Sequence, residues 1–184
     1  MIINSCKVEA IYADIFDLEV ESIVNPANNS LLGGGGLDGL IHEKDGDDLL
    51  DDTVKLAGVY TGGAKITKAH KLKNDYIIHV VGPMDSNKNK FKLLEKTYFN
   101  LLHLADEHKI KSIAIPAISC GAFAMDIKEA SKIAVNAIKT YLQNNESTIE
   151  EFICLNNYKF YEEYKNIILV KDNKILIKST SSLY

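Results

Sequence analysis

Few cysteines, no excess of cations and no long apolar run narrow this 184-residue chain before any motif is read. Its three cysteines, Cys6, Cys120 and Cys154, are scattered and form no C-x-x-C pair. That pattern excludes a disulfide framework and a thiolate zinc site, and it points to a reducing, cytoplasmic setting. No apolar stretch approaches the roughly 20 residues that a membrane span requires. The opening MIINSCKVEA lacks the basic-then-apolar order of a signal peptide. Lys and Arg number 21 against 25 Asp and Glu, a net charge of −4, which argues against a basic nucleic-acid-binding face. A G-x-x-x-x-G-K run followed by Ser or Thr is missing, as are a compact metal-ligand set, an internal repeat and a low-complexity linker. What remains is an ordinary globular composition, 46% hydrophobic and 25% charged. It suits one domain over residues 1–184 with one core, expected to be a monomer.

The chain is organised around Asn25 to Ile41, NPANNSLLGGGGLDGLI. Ser22-Ile23-Val24 reads as the end of a buried strand, Gly33 to Gly36 as a loop, and Leu37 to Ile41 as the start of a helix. In that order they let backbone N–H groups face an anion. Asn25 and Asn28 precede the loop and Asp38 leaves it, a layout for a polar, phosphorylated, hydroxyl-rich ligand.

These residues resemble the signature of the macrodomain family, the ADP-ribose-binding modules: N-A-A-N, then G-G-G-G-x-D-G. Pro26 replaces the first alanine. The likeness is greatest to the MacroD-type branch, which removes ADP-ribose from modified acidic side chains. It extends over roughly residues 8 to 165. Ala13-Asp14-Ile15 resembles the family's G-D-I, which implies that Asp14 accepts from the adenine amino group and that the Ile15 N–H supports the ring; by pattern alone Asp14 is a turn residue. Ser119-Cys120-Gly121-Ala122-Phe123 resembles the family's phosphate loop, with Cys120 where Thr is frequent and Phe123 over the distal ribose. Gly121 is read as the residue that lets the backbone turn; the plain alternative is a strand-to-helix turn. No basic neighbour in sequence supports a reactive Cys120 thiol.

The rest of the chain alternates strand and helix. Residues from about Lys7 to Ile15 read as a strand. Leu37 to about Ala57 is helical, broken at Gly46, and its Asp45, Asp47, Asp48, Asp51 and Asp52 read as a solvated face and an N-cap rather than a metal site. Ala64 to Thr67, Tyr76 to Val81 and Ser112 to Pro116 are strands, and His79 reads as a hydrogen-bonded core residue. Lys90 to His108 is an amphipathic helix with Phe91, Leu94, Tyr98, Leu101, Leu102 and Ala105 on its apolar face. Asp126 and Glu129 open another helix. Glu151 to Leu155 is a strand, and Asn156-Asn157 caps a helix to about Lys165. Residues 166–184 read as a tail with a small hairpin turning at Lys171 to Lys174. Tyr158 reads as a helix residue packed on the core, or as a displaced adenine-stacking aromatic.

This pattern predicts an α/β fold: a three-layer α/β/α sandwich with a mixed central sheet and helices on both faces. The loops after the strands ending near Asp14, Val24 and Pro116 then share one rim. The resemblance implies a metal-independent hydrolase with no cofactor, acting on ADP-ribosylated proteins and also on O-acetyl-ADP-ribose. Its catalytic residues are Asn28 and Asp38, and its ligand-binding residues Asp14, Ile15, Asn25, Gly34, Gly35, Gly36 and Ser119 to Phe123. A module that binds ADP-ribose without chemistry is the alternative.

Overall fold

The structure, a computed structural model, describes residues 1–147, 149, 151–155 and 158–180, with the backbone alone over 151–155 and 170–180. Among these residues seven strands form one sheet: β1 (Ile2–Ile3), β2 (Cys6–Ala10), β3 (Ser22–Pro26), β4 (Ala64–Lys68), β5 (Tyr76–Val80), β6 (Ser112–Pro116) and β7 (Glu151–Leu155). Their order is β1-β2-β7-β6-β3-β5-β4. The central five run parallel, while β1 and β4 pair antiparallel at the two edges. Five helices complete the described chain: α1 (Gly36–Asp45), α2 (Asp47–Leu56), α3 (Lys90–Glu107), α4 (Ile127–Asn144) and α5 (Tyr158–Thr180).

Parallel strands are covered on both faces, so their sequences are apolar without alternation. Ile23-Val24, Ile77-Ile78 and Ile113-Ala114-Ile115 are all fully buried. Successive side chains feed opposite cores. Val24, Ile78, Ile113 and Ile115 pack with Leu94, Tyr98 and Leu101 of α3, Ala134 and Ile138 of α4, and Tyr164 and Ile168 of α5. Ile23, Ile77 and Ala114 pack with Ile41 of α1 and Leu49 of α2. The expected sandwich is therefore present, with three helices on one face and two on the other.

Local chemistry sets the element ends. Gly46 sits at φ +89°, stopping α1 and turning the chain into α2; a side-chain-bearing residue is strained there. Asp126 caps α4, accepting from the N–H groups of Lys128 (2.9 Å) and Glu129 (3.1 Å).

Four expectations are corrected. The 166–184 hairpin is absent over its described part, because α5 continues without a break to Thr180. Lys171-Asp172-Asn173-Lys174 offers no glycine for a tight turn, while Tyr164 and Ile168, four residues apart, hold one helical face in the core. Asn156 and Asn157, read as the cap of this helix, lie outside the described residues. The strand expected to reach Ile15 ends at Ala10, and Ile15–Asp17 is a 3-10 turn that Asp14 caps by accepting from Phe16 N–H at 3.0 Å. Phe91 is half-exposed, so the buried stripe of α3 begins at Leu94. Asp45 does not belong to a solvated face.

Asp45 is fully buried at the end of α1. Its Oδ1 accepts from the backbone N–H groups of His70 (2.8 Å), Lys71 (2.9 Å) and Leu72 (3.0 Å), tying the helix to the turn that follows β4. Replacing Asp45 with Ala leaves three donors without an acceptor. Urea denaturation of Asp45→Ala is expected to show a loss of about 3 kcal/mol, with a smaller loss for Asp45→Asn, which keeps one acceptor oxygen.

Candidate ligand-binding and catalytic site

The parallel strands end on one rim. Pro26 of β3 lies beside Val80 of β5, and Pro116 of β6 beside Leu155 of β7. The loops leaving β3, β5 and β6 converge there on a cavity of about 300 Å³. Asn28, Gly34, Gly35, Gly36 and Asp38 line one side, Ser119, Gly121, Ala122 and Phe123 the other, and Gly82 lies between. A second cavity of about 440 Å³ adjoins it, lined by Tyr12, Ala13, Asp14, Ile15, Phe16, Leu40 and Pro116. Leu37 belongs to both walls. Asp38 and Gly121 thus face one cavity, while Asp14 faces its neighbour.

The first cavity is shaped by missing side chains. A Cβ on Gly35 or Gly121 would meet nothing within 4 Å, so any substituent there projects into open space. A Cβ on Gly39 would overlap Gly34 O, so α1 can lie against the glycine loop only without a side chain at that position. Gly33 (φ +81°) and Gly36 (φ +62°) turn the loop into the helix.

Two groups of main-chain donors belong to residues that line this space. Gly35 is the N-cap of α1 and offers no side-chain bond, so the first-turn N–H groups have no partner from the cap. Opposite them, the N–H groups of Gly121, Ala122 and Phe123 donate to no acceptor among the described residues. The Cys120 N–H is occupied by Ala117 O at 3.2 Å. The left-handed turns of this loop fall on Ser119 (φ +68°) and Ala124 (φ +56°), while Gly121 does not take a positive φ. Ser119 is buried, lines the cavity, and its Oγ has no partner among the described residues.

Asp38 lies in the first turn of α1, only 4% exposed. Asn25 Nδ2 donates to its Oδ1 at 2.8 Å, and His42 Nε2 stands 3.8 Å from the same oxygen. Burial raises the carboxyl above its ordinary 3.8; the Asn25 hydrogen bond and the nearby His42 pull the other way. Asn28 is held locally: its Nδ2 donates to Gly33 O (2.8 Å), and its Oδ1 accepts from Ser30 N (2.9 Å) and Ser30 Oγ (2.6 Å). Asn28 Nδ2 and Asp38 Oδ2 each lie 3.1 Å from the point a Gly34 Cβ would occupy. The two groups therefore flank one small gap.

Other expected residues are placed differently. Asn25 is fully buried behind Asp38 and does not reach the cavity. Cys120 is absent from the cavity wall, and burial, with Asp126 nearby, pushes its thiol up to about 12, which leaves it protonated and inert. Tyr158 is 61% exposed rather than packed on the core. Its ring meets Tyr12, on the wall of the second cavity, edge-on at 5.6 Å. Sequence reading passed over His42, although Asp38 and His42 stand at the i, i+4 spacing that puts both on one helical face. It took Gly82 only as a strand stop, whereas a Cβ there would overlap Ser119 Oγ.

Residues 24–134 match the family model for the Macro domain. A Macro domain-containing protein of Methanosarcina mazei is 45% identical over 148 residues, 79% of each chain. The ADP-ribose glycohydrolase MACROD2 of Xenopus laevis is 39% identical over 173 residues, 90% of this chain and 41% of that protein. Among solved structures, a variant Oceanobacillus iheyensis macrodomain with ADPR superposes with a TM-score of 0.86 at 34% identity, covering 96% of each chain. The glycine loop, the parallel rim and these likenesses agree: the chain belongs to the Macro domain family.

Proposed function

We propose that this chain binds ADP-ribose and hydrolyses the ester that joins it to an acidic side chain of a modified protein. The observation that carries the reading is the buried Asp38 carboxylate at the wall of a cavity whose lining residues carry two sets of N–H groups with no acceptor among the described residues. The α1 N-terminus and the Gly121–Phe123 amides suit a diphosphate. Asp14, Ile15 and the Tyr12 wall of the adjoining cavity suit an adenine, with Tyr158 set beside it. Phe123 suits the distal ribose. Relatives named ADP-ribose glycohydrolase and neighbours with ADP-ribose support the same ligand.

The reaction breaks the bond between the anomeric carbon of that ribose and the ester oxygen. The departing carboxylate keeps the electron pair and needs no strong acid. Positive charge develops on the sugar, and Asp38 opposes it at close range. Water adds to the anomeric carbon. Its proton passes to Asp38, whose burial makes it a better base than an ordinary aspartate, or to a phosphate oxygen of the substrate. Asn28 orients the ribose hydroxyls with its remaining N–H. The same chemistry would release acetate from O-acetyl-ADP-ribose. No metal enters, and a reducing compartment keeps Cys6 and Cys120 as thiols.

Release of ADP-ribose from carboxyl-modified protein is the direct test. Asp38→Ala should lower turnover by about 10²-fold or more with calorimetric ADP-ribose binding retained, and a chelator should leave the wild-type rate unchanged. Binding without release by the wild-type chain would instead make it a reader. Gly121→Val, which places a branched side chain in the open space, should weaken binding by at least about tenfold. The burial of Asp38 also predicts a stability effect of definite sign. Its folded pKa lies above the unfolded 3.8, so its favourable contribution is complete below pH 3.8 and is lost as pH rises through the folded value. Urea titrations should therefore find Asp38→Asn more stable than wild type at pH 7, with the gap closing as pH falls toward 4.

A further inference from the structure

Behind Asp38 lies a chain of buried polar side chains that the reaction above does not use. Asn25 of β3 stands opposite His79 of β5 in the sheet register, and Thr67 of β4 lies one diagonal step further on the same face. Asn25 Nδ2 lies 3.1 Å from His79 Nδ1, and His79 Nε2 lies 3.0 Å from Thr67 Oγ1. Asn25 and His79 are fully buried, Thr67 is 7% exposed and Asp38 4%. Three neighbouring strands have thus placed one polar residue each, end to end, leading to a single carboxylate oxygen.

The hydrogens in this line are mutually determined. An ionised carboxylate accepts only, so the Asn25 amide presents its nitrogen to Asp38. That nitrogen also faces His79, so its second hydrogen points at Nδ1, which must carry a lone pair. His79 is then protonated at Nε2 and donates to Thr67 Oγ1. Burial, helped by His42 and opposed by Asp45, pushes His79 down to about 3, which keeps the ring neutral. Asn25 Oδ1 has no partner of its own among the described residues. Within the amide, therefore, only the contacts of Nδ2 resist a flip that would turn an oxygen toward Asp38.

The geometry points to His79 as a positioning residue, which through its Nδ1 lone pair keeps the Asn25 amide donating to Asp38 and so keeps that carboxylate ionised and aimed at the cavity. The assignment rests on the catalytic reading of Asp38. A proton on Nδ1, or loss of the ring, removes one of the two acceptors that hold the amide nitrogen in place and leaves the Asp38 carboxylate as the other. The titratable groups facing the line are His42, beside Asp38 and 6.5 Å ring to ring from His79, and Asp45 beyond His79.

Nitrogen-15 NMR of the histidine rings in the full chain reads the tautomer directly, and His79 is expected at Nε2–H from pH 5 to 8. In the release assay, His79→Leu and the isosteric Thr67→Val should each move the acid limb of the kcat profile up by about one pH unit or more, with KM and the ADP-ribose dissociation constant near wild type. His79→Asn, which keeps an acceptor near the Nδ1 position, should restore most of the limb. Carbon-13 NMR should find the Asp38 carboxyl pKa raised in Thr67→Val. A wild-type His79 protonated at Nδ1, or an Asp38 pKa unchanged in Thr67→Val, overturns the assignment. Absence of release by the wild-type chain would defeat the catalytic reading, while the tautomer and the Asp38 titration would still decide the relay.

Discussion

A carboxylate withdrawn from water at the first turn of a helix is costly unless something returns what solvation provided. At Asp38 three things do so: the N-terminal end of α1, the Asn25 amide and the nearby His42. None of them cancels the burial, since the carboxyl remains above its usual range. Much of the molecule follows from that residual imbalance. The glycine loop lets α1 begin at the cavity wall, Gly39 lets the helix lie against that loop, and Asp45 anchors the other end of α1 with three hydrogen bonds. The helix is held at both ends, so the buried carboxylate within it is kept from moving outward to water.

The chain carries a net charge of −4, so its overall field does not favour an anion. Local geometry reverses this. Main-chain N–H groups carry partial charge wherever the backbone leaves them unpaired, and they cost no side-chain entropy. The α1 terminus and the Gly121 loop approach one space from opposite sides, each with residues too small to obstruct it. An anion held this way is recognised by shape as well as charge, because the donors are fixed by the sheet rim beneath them. That suits selection of one nucleotide-sugar among the many phosphates of a cell.

Much of this was legible in the sequence. Apolar runs such as Ile77-Ile78 and Ile113 to Ile115 announce strands covered on both faces, and the break at Gly46 marks the end of α1. Asn28, the glycines and Asp38 sit in one uninterrupted segment, so their proximity needs no knowledge of the fold. Two of the misreadings concerned a residue whose partner is distant in sequence or whose backbone angle is not dictated by its own type. Asp45 reads as one of five acids until the N–H groups of residues 70–72 are brought to it. The positive φ values of the second loop fall on Ser119 and Ala124, where an L side chain is uncommon, rather than on the glycine that pattern reading favours. The helical tail differs again, since its two apolar halves suit a hairpin as readily as a helix until Tyr164 and Ile168 meet the core.

Asn25 and His79 show how such distant partners acquire function. In a parallel sheet a shift of one residue sends every side chain to the opposite face. With β3 and β5 in the observed register, Asn25 and His79 lie side by side beneath α1, on the face that carries Ile23 and Ile77. A slip would bury a lone imidazole among the aliphatic residues of α3 and leave the asparagine amide unpaired. The apolar residues that fix the register, Ile23 against Ile77 and Val24 against Ile78, therefore also fix which polar groups can meet. The packing of the sheet and the orientation of the acid at its rim are in this sense one constraint, imposed by hydrophobic residues that never touch a ligand.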